Sequence, residues 1–547
     1  MKLKAHDLQQ LDEVYIRRLP ETAARDLCVN LLVDLKEARE RLEQNASNSS
    51  RPPSSRPPWE YGTKGDEDDG DAEDDGTQED DKTKTPPESD AIEPDKQEGK
   101  QAPGEQQQSE QSPADPTQGS EGAAKAPQAR PPRKPGKQPG APGFGRTQKL
   151  EAERTDTHRP SHCHGCGQPL AQDAPAVSYT GYQSIDLERG GPGTPGLRLR
   201  VVDHLYQDVT CACGHHTRAE PQRTDTGLEG VVLSEWRLIG PGLVALIIAL
   251  DQRYHLSRVR ICEWLWDWLG LAVSTGLIHD TLREAAAALE PLEEVLIEEI
   301  QRGELLNADE TPWPEQGRKA LWLWVFLTTT TTFFVIAGRG KATVSRMLAH
   351  FTGHLMSDGW FSYRDYPHRL RCWAHLLRKA QGLIDCYDAD GRVFGHLVLT
   401  TLERLIKAVY AAREGPPQQA ANLAERYRAQ LAALKEACRV RLGHGHKKTR
   451  ALAVEFFNDW EAIFRVLDHP HLPLTNNDAE RALRHWVIAR RISQGTRTPQ
   501  GSHVFTILAS VIATCRQRGH SPWLYITEAI TCRRAGLELP PLPQVGV

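Results

Sequence analysis

Apolar residues in the N-terminal part of the chain recur with the spacing of a helix. Within residues 19–44 they repeat at intervals of three and four over about two heptads, at Cys28, Leu31, Leu35, Ala38 and Leu42. This seam predicts either a short dimeric coiled coil or an amphipathic helix packed on its own chain. Residues 228–300 are predicted to be wholly helical, and their apolar run at 243–250 fits a buried helix. That run is too short to span a bilayer.

The pattern changes after residue 304, where short apolar segments alternate with helices. Strands are predicted at 305–308, 320–327, 332–337, 354–357 and 368–372, and the second and third of these are rich in aromatic and β-branched residues. Helices are predicted at 343–351 and from residue 374 onward, with 385–470 almost entirely helical and further helices at 476–491 and 503–518. This order of strands and helices predicts an α/β fold class.

A long polar segment separates the N-terminal helix from the rest. Between residues 45 and 145 apolar residues nearly vanish, which predicts disorder because such a chain cannot bury enough apolar surface to offset its conformational entropy. Residues 64–100 hold 16 acidic and 5 basic residues, so the remainder of this chain of net charge −6 carries a positive excess. Residues 130–146 are basic and rich in proline and glycine, which suits either contact with a phosphate backbone or a solvated linker.

The start of the chain has no apolar core of the kind found in secretory signals. Eleven scattered cysteines argue against a disulfide framework and for a reducing compartment. We therefore expect a cytoplasmic protein that does not act at a membrane.

Four of the cysteines form two close pairs, Cys163 with Cys166 and Cys211 with Cys213. A CxxC pair with a distant second pair is a common way to build a tetrahedral thiolate site, so we expect structural Zn²⁺ here. The glycines at positions 165 and 167 allow the tight turn that two sulfurs on one ion require. The second pair is CxC, which leaves the fourth ligand open to replacement by a neighbouring histidine; the candidates are His162, His164, His215 and His216.

Three carboxylates stand where they could act in chemistry. Asp309 follows an apolar strand in LLNADET, and Asp358 follows another in HLMSDGW. Glu480 lies just inside a helix capped by Thr475 or Asn476. Carboxylates at strand ends can converge and hold two Mg²⁺ ions for attack on a phosphodiester. The alternative is that the aspartates serve turns and that Glu480 pairs with an arginine four residues later.

Basic residues surround these carboxylates in sequence and are our candidates for DNA contact. Four arginines follow Glu480 on its helix, and a histidine and an arginine lie at the start of the helix predicted from residue 374, in and just after the motif CWAH (372–375): Arg481, Arg484, Arg490, Arg491, His375 and Arg378. A solvated basic face would explain the first group equally well, and packing in the core would explain His375.

Taken together, these motifs resemble the insertion-sequence-66 family of bacterial transposases. The resemblance rests on an ordered set: NSSRPPSSR, the basic linker RKPGKQPGAPGFGR, the cysteine segment, and then ADET, SDGW, CWAH and NNDAERALR. It implies a ribonuclease-H-like catalytic core in which Asp309, Asp358 and Glu480 are an Asp-Asp-Glu triad using Mg²⁺ or Mn²⁺. The segment SQGTRTPQGS at 493–502 differs from the sequence usual in the family after the glutamate helix.

The resemblance also implies a domain order. We expect an N-terminal helix or short coiled coil at 1–45, a disordered acidic and then basic linker at 46–145, and a zinc-binding domain at 146–225. A helical DNA-binding region would follow at 226–303, and the catalytic domain would occupy 304–547 with a helical insertion at about 385–470.

The implied function is metal-dependent cleavage and strand transfer at the ends of a bacterial insertion sequence. The expected partners are the inverted-repeat ends of the element, target DNA, further copies of the chain in a homo-oligomer, and accessory proteins of the same element. Two alternatives stay open: a DNA-binding protein that derives from a transposase and has lost catalysis, and a metal-dependent nuclease without strand transfer.

Overall fold

The computed structural model describes residues 16–42, 148–220, 237–416 and 422–546, apart from 17, 149, 191, 192, 194 and 319. The linker predicted at 46–145 lies outside the described residues. The first described element is helix α1 (Glu21–Leu42), within the segment where the apolar spacing predicts one.

The cysteine segment builds the first sheet. Its strands are β1 (Arg154–His158), β2 (Ala176–Arg189), β3 (Leu197–Thr210), β4 (His216–Arg218) and β5 (Arg237–Ile239). The long strands β2 and β3 pair antiparallel, β4 extends this pattern beside β3, and β1 and β5 add in parallel at the two sides. Residues 237–239 are therefore a strand and not part of the predicted helix, because pairing with β2 decides their conformation.

Four helices follow β5: α2 (Pro241–Gln252), α3 (Arg258–Leu269), α4 (Thr275–Leu289) and α5 (Leu292–Gln301). Helix α2 contains the apolar run and is buried along most of its length. The side chains of Ser257 and Ser274 cap α3 and α4 by accepting a backbone N–H from the first turn.

The second sheet has five strands and confirms the predicted alternation. They are β6 (Leu305–Pro312), β7 (Leu321–Leu327), β8 (Thr332–Gly338), β9 (His354–Ser357) and β10 (Arg369–Arg371), with helix α6 (Lys341–Leu348) between β8 and β9. Their order across the sheet is β10-β9-β6-β7-β8. The pairs β6–β7 and β7–β8 are antiparallel, while β9 is parallel to both β6 and β10.

Helices dominate the rest of the chain. The segment after β10 contains α7 (Trp373–Ile384), α8 (Ala389–Glu414), α9 (Leu423–Arg426), α10 (Arg428–Arg439), α11 (Lys447–Asn458) and α12 (Trp460–Phe464). The C-terminal part contains α13 (Asn477–Ser493), α14 (Pro499–Gln517) and α15 (Pro522–Arg534).

Two large cores organise these elements. One joins helices of the 226–303 region to the second sheet, since Ile247 and Leu282 belong to the same buried cluster as Leu306 and Phe326. The other belongs to the helical segment 373–474 and is built around Phe394, Leu402, Phe456 and their neighbours. The helical segment therefore has a hydrophobic core of its own.

A buried ionic network ties this helical segment to the second sheet. Arg371 at the end of β10 is fully buried and donates to Asp459 and Glu455. Arg369 donates to Asp459 over 2.9 Å, and Lys379 donates to Glu455 over 2.8 Å. Glu455 thus has two cationic partners, and Asp459 has a third in Arg364 at 3.9 Å.

Helix α1 is anchored through a polar residue near its C-terminal end. Glu40 is 8% exposed and accepts a hydrogen bond from the backbone N of Tyr387 over 3.1 Å, while Lys448 lies 3.2 Å from its carboxylate. Val29, Leu32 and Leu35 remain exposed on the same helix. The predicted coiled-coil contact stays a prediction.

Candidate active site

The register of two parallel strands brings Asp309 and Asp358 to the same end of the second sheet. Asn307 of β6 lies opposite Met356 of β9, and each aspartate stands two residues beyond its member of this pair. Asp358 follows its strand, as the sequence predicts. Asp309 lies inside β6, because pairing with β7 continues to Pro312.

Glu480 reaches the same region from the first turn of α13. The residue that fixes this helix start is Asn476, which is completely buried. Its side-chain amide donates to the carbonyl of Ala308, over 2.9 Å, and its backbone N donates to the sulfur of Cys372, over 3.3 Å. The start of α13 is therefore tied to β6 at Ala308, one residue before Asp309. This tie brings Glu480 towards Asp309, although the two residues are 171 positions apart in sequence.

The carboxylates influence one another's ionisation. Burial raises the pKa of Asp309 well above its ordinary value, and the negative charges of Asp358, Glu310 and Glu480 add to this effect. Burial also raises the pKa of Glu480; Arg378 opposes this shift and Asp358 reinforces it. The three predicted acids thus lie within electrostatic range of each other and repel one another.

Two of the predicted DNA-contact residues face Glu480. His375 Nδ1 and Arg378 Nη2 each lie 3.7 Å from Glu480 Oε1, and none of these three atoms has a hydrogen-bond partner among the described residues. Burial lowers the pKa of His375 to about 3, and Arg378, Lys379 and Arg371 add to the effect, so the imidazole is neutral at pH 7. Potential ligand atoms of Glu480, Cys372 and His375 lie within 4.8 Å of one another, and among the described residues no group this tight joins Glu480 to the two aspartates.

Sequence reasoning missed a second buried acid beside Asp309. Glu310 is 8% exposed; it accepts from Arg339 over 2.8 and 3.0 Å and from the Tyr363 hydroxyl over 2.7 Å. Burial and the charge of Asp358 raise its pKa to about 7. Its place directly after Asp309 gave no signal of this role, because neighbouring side chains in a strand point to opposite faces of the sheet.

The four arginines predicted on α13 lie in different environments. Arg481, Arg484 and Arg491 are exposed. Arg490 instead donates to the Thr311 hydroxyl over 3.0 Å and to the carbonyl of Pro312, which fastens α13 to the end of β6.

The four predicted zinc ligands converge. Their sulfur atoms all lie within 4.8 Å of one another, with 3.8 Å between Cys163 and Cys213 and 3.7 Å between Cys166 and Cys211. A tetrahedron with Zn–S bonds of about 2.3 Å has edges of about 3.8 Å, so the set fits Zn²⁺ without a histidine.

Two turns shape this cysteine cluster. The backbone carbonyl of Cys163 accepts a hydrogen bond from the backbone N of Gly167, and the carbonyl of Cys211 accepts one from the backbone N of Gly214. Both glycines have positive φ, at 72° and 83°, which explains the residue type at the turn. At Gly165 a Cβ would come within 2.6 Å of the His215 ring, so a side chain there would disturb the cluster.

Comparison with known proteins gives the family. Residues 237–504, about half of the chain, match the family model described as Transposase IS66 family. The chain belongs to this family of transposases. The matched region begins at β5 and ends within α14, so it includes all three candidate acids. Family membership gives the protein a transposase-type function and implies that it binds DNA.

Curated relatives of this IS66-family chain come from Sinorhizobium fredii and are themselves uncharacterized. Protein y4qI is 26% identical over 372 residues, which cover 61% of this chain and 67% of that protein. Protein y4hP is 22% identical over 422 residues, covering 70% and 72%. Protein y4jO is 26% identical over 176 residues, covering 32% and 52%. Within the described residues, no helix is both long and apolar enough to cross a membrane.

Proposed function

We propose that the protein is an Asp-Asp-Glu transposase that cuts the ends of its insertion sequence and joins them to target DNA. The catalytic triad is Asp309, Asp358 and Glu480. The observation that carries the proposal is the convergence of these acids at one end of the second sheet, through the β6–β9 register and the tie between Asn476 and Ala308.

The sheet itself supports a ribonuclease-H-like core. Three antiparallel strands, β6 to β8, are followed by a helix and then by two strands that add on the other side of β6 in parallel. The helical segment 373–474 enters between the second and third acids, which is where the insertion is expected. Because that segment has its own core, it can be carried without distorting the sheet.

The donor set fits divalent metal ions. Hard oxygen ligands suit Mg²⁺ or Mn²⁺, and the mutual repulsion of three acids is relieved when cations lie between them. Such ions, when bound, would activate the attacking oxygen and stabilise the leaving oxygen. The raised pKa values of Asp309 and Glu480 are consistent with a site built for cations.

The neighbouring residues have separate tasks in this proposal. Arg378 neutralises Glu480 in the free protein and can turn to a phosphate oxygen when DNA arrives. Neutral His375, whose Nδ1 has no partner among the described residues, can hydrogen-bond to the DNA without adding charge. Asn476 is a positioning residue, because it acts on Glu480 only through the start of α13.

The reaction follows as two in-line displacements at phosphorus. Water attacks the phosphodiester at the element's end, the P–O bond to the 3′ oxygen breaks, and a free 3′ hydroxyl remains. This hydroxyl then attacks a target phosphodiester, forming one P–O bond while another breaks. The cysteine cluster, when it holds Zn²⁺, serves the fold of the 146–225 segment and takes no part in these steps.

The decisive experiment uses DNA that flanks the gene as substrate. Asp309→Asn, Asp358→Asn and Glu480→Gln should each lower Mg²⁺-dependent cleavage by more than about 100-fold, since even residues that only support metal ligands cost 10–100-fold. Binding of the same DNA should change little because it rests on arginines and lysines.

The matched control is Asp478→Asn, which removes an exposed acid two residues before Glu480 on the same helix. It should retain cleavage. Binding without cleavage by the unmodified protein would favour the inactive DNA-binding alternative. Cleavage without joined products would favour the nuclease.

A further inference from the structure

A large cleft lies at the far end of α13 from Glu480. It has a volume of about 920 Å³ and is bounded by the starts of α3, α4 and α14, by the last turn of α13, and by the loop that joins α13 to α14. We call it the α13 cleft. Its lining includes seven of the residues 493–501, which lie within the segment 493–502 that differs from the sequence usual in the family.

Three exposed arginines give the cleft its charge: Arg258, Arg283 and Arg497. Within the described part of the chain, none of them lies within 4.0 Å of a carboxylate oxygen. The acid in the lining is Asp251, whose pKa burial raises to about 6 while Arg258 acts in the opposite direction. The cleft therefore has a positive excess available to an anionic ligand.

Helix geometry adds to this positive character. The starts of α3, α4 and α14 all border the cleft, and one backbone N–H of each is capped, by Ser257, Ser274 and Thr498 respectively. The other first-turn N–H groups have no partner inside their helices. Helix N-termini favour anions, and phosphate groups in particular.

One buried group indicates that the ligand is more than an anion. Gln252 lines the cleft and is 5% exposed; its amide N–H donates to Asp251 over 2.7 Å, but its Oε1 has no partner among the described residues. An unpartnered acceptor requires a donor, and an ionised phosphodiester has none. A nucleotide has both a phosphate and, on most bases, an amino group.

Aromatic side chains form the floor of the cleft. Trp313, Trp486 and Phe505 contribute to the lining, and the ring centroid of Phe505 lies 4.8 Å from that of each tryptophan. Trp313 and Trp486 are only 3% and 4% exposed, so they give the cleft an apolar floor and offer no free ring face for stacking. The exposed arginines supply the cations along a groove that track the backbone of a single strand.

The position of the cleft relates it to the carboxylates. Helix α13 carries Glu480 in its first turn and lines the cleft with Trp486, Ala489, Ile492 and Ser493, which at 1.5 Å per residue lie about 9–20 Å away. Strand β6 carries Asp309, and Trp313 follows four residues later, about 13 Å along an extended chain. At the duplex rise of about 3.4 Å per nucleotide these distances correspond to about three to six nucleotides.

We propose that the α13 cleft binds one strand of the DNA whose end is cut at the carboxylates, about three to six nucleotides from the cut bond. The phosphates lie at Arg258, Arg497 and the three helix starts, and a base amino group donates to Gln252. This assignment rests on the proposed transposase function and adds to it the path of the DNA.

The test measures binding of a fluorescein-labelled single strand of 20 nucleotides and mixed sequence at several salt concentrations. The variant carries Arg258→Ala and Arg497→Ala together. Losing two phosphate contacts should reduce the slope of log affinity against log salt by about 1.4 and weaken binding about tenfold at 0.15 M salt. Gln252→Met should weaken binding while leaving that slope unchanged, because it contacts no phosphate.

The matched control removes two exposed arginines that do not line the cleft, Arg260→Ala with Arg404→Ala. If the cleft pair and the control pair bind alike while the unmodified protein cleaves DNA, the cleft assignment is overturned and the catalytic proposal stands. If the unmodified protein neither binds nor cleaves DNA, the proposed function fails and this assignment fails with it.

Discussion

Replacing Arg371 by methionine should destabilise the protein by about 3 kcal/mol. The side chain is fully buried between Asp459 and Glu455. Removing one member of a buried ion pair costs roughly 3–5 kcal/mol when its partner is left unpaired. Here Asp459 keeps Arg369 and Glu455 keeps Lys379, so we expect the lower end of that range.

The assay is thermal unfolding of Arg371→Met, Asp459→Asn and the double variant. At about 2–4 °C per kcal/mol for a domain of this size, the single change should lower Tm by roughly 6–12 °C. The double variant should lose less than the sum of the two single losses, by about 1–3 kcal/mol, because the residues share one interaction.

The control is Arg439→Met, the same substitution in an exposed pair with Glu436, which should change stability by less than about 0.5 kcal/mol. Additive losses in the double variant, or a Tm within about 2 °C of the unmodified protein for Arg371→Met, would refute the account of the buried network. Arg371 also lies close to the candidate site. A Cβ built on Gly359, the residue after Asp358, would be 2.5 Å from Arg371 Nη2, so the loss of Arg371 also changes the surroundings of Asp358.

Three further predictions concern metal, pH and backbone. Purified protein should contain about one zinc per chain by elemental analysis; Cys163→Ser should lower this content, whereas Cys438→Ser, in the core of the helical segment, should not. Burial would raise the pKa of Glu455, but Lys379 and Arg371 outweigh burial and hold this pKa below 4.5. The ionised Glu455 therefore stabilises the protein fully above about pH 4.5, and this contribution is lost as the pH falls through the pKa that Glu455 has in the folded protein. Tm should therefore fall less steeply between pH 6 and 3 in Glu455→Gln, and an equal fall would contradict this. Gly495→Ala should lower Tm measurably, because φ is +89° and a Cβ would lie 2.1 Å from the Pro314 carbonyl, whereas Gly443→Ala meets open space and should not.

The sequence predicted those features that depend on local spacing. The strands of the second sheet, the position of Asp358 after one of them and the convergence of the cysteine pairs follow from short patterns of apolar residues and ligands. The family was likewise predicted from short motifs in order, and the match over residues 237–504 confirms it.

The sequence could not predict features that depend on partners distant in the chain. Asn476 was one of two residues expected to cap its helix, with Thr475; it stands at the cap position, but its side chain bonds to Ala308 and does not cap the helix. Arg490 was expected to contact DNA and is bonded to the end of β6. The network around Arg371 joins residues more than 80 positions apart. In each case the neighbouring charge or carbonyl that decides the role comes from a remote element.

The order of the three acids along the chain has a consequence for synthesis on the ribosome. Asp309 and Asp358 emerge 49 residues apart, but Glu480 follows Asp358 by a further 122 residues. At roughly 5–20 residues per second, this interval lasts about 6–24 s. During that time the sheet and the independent core of the helical segment can form, while α13 has not yet supplied the last acid. On the proposed mechanism, a nascent chain passing near DNA therefore cannot cut it until residue 480 has been made and α13 has folded against the sheet.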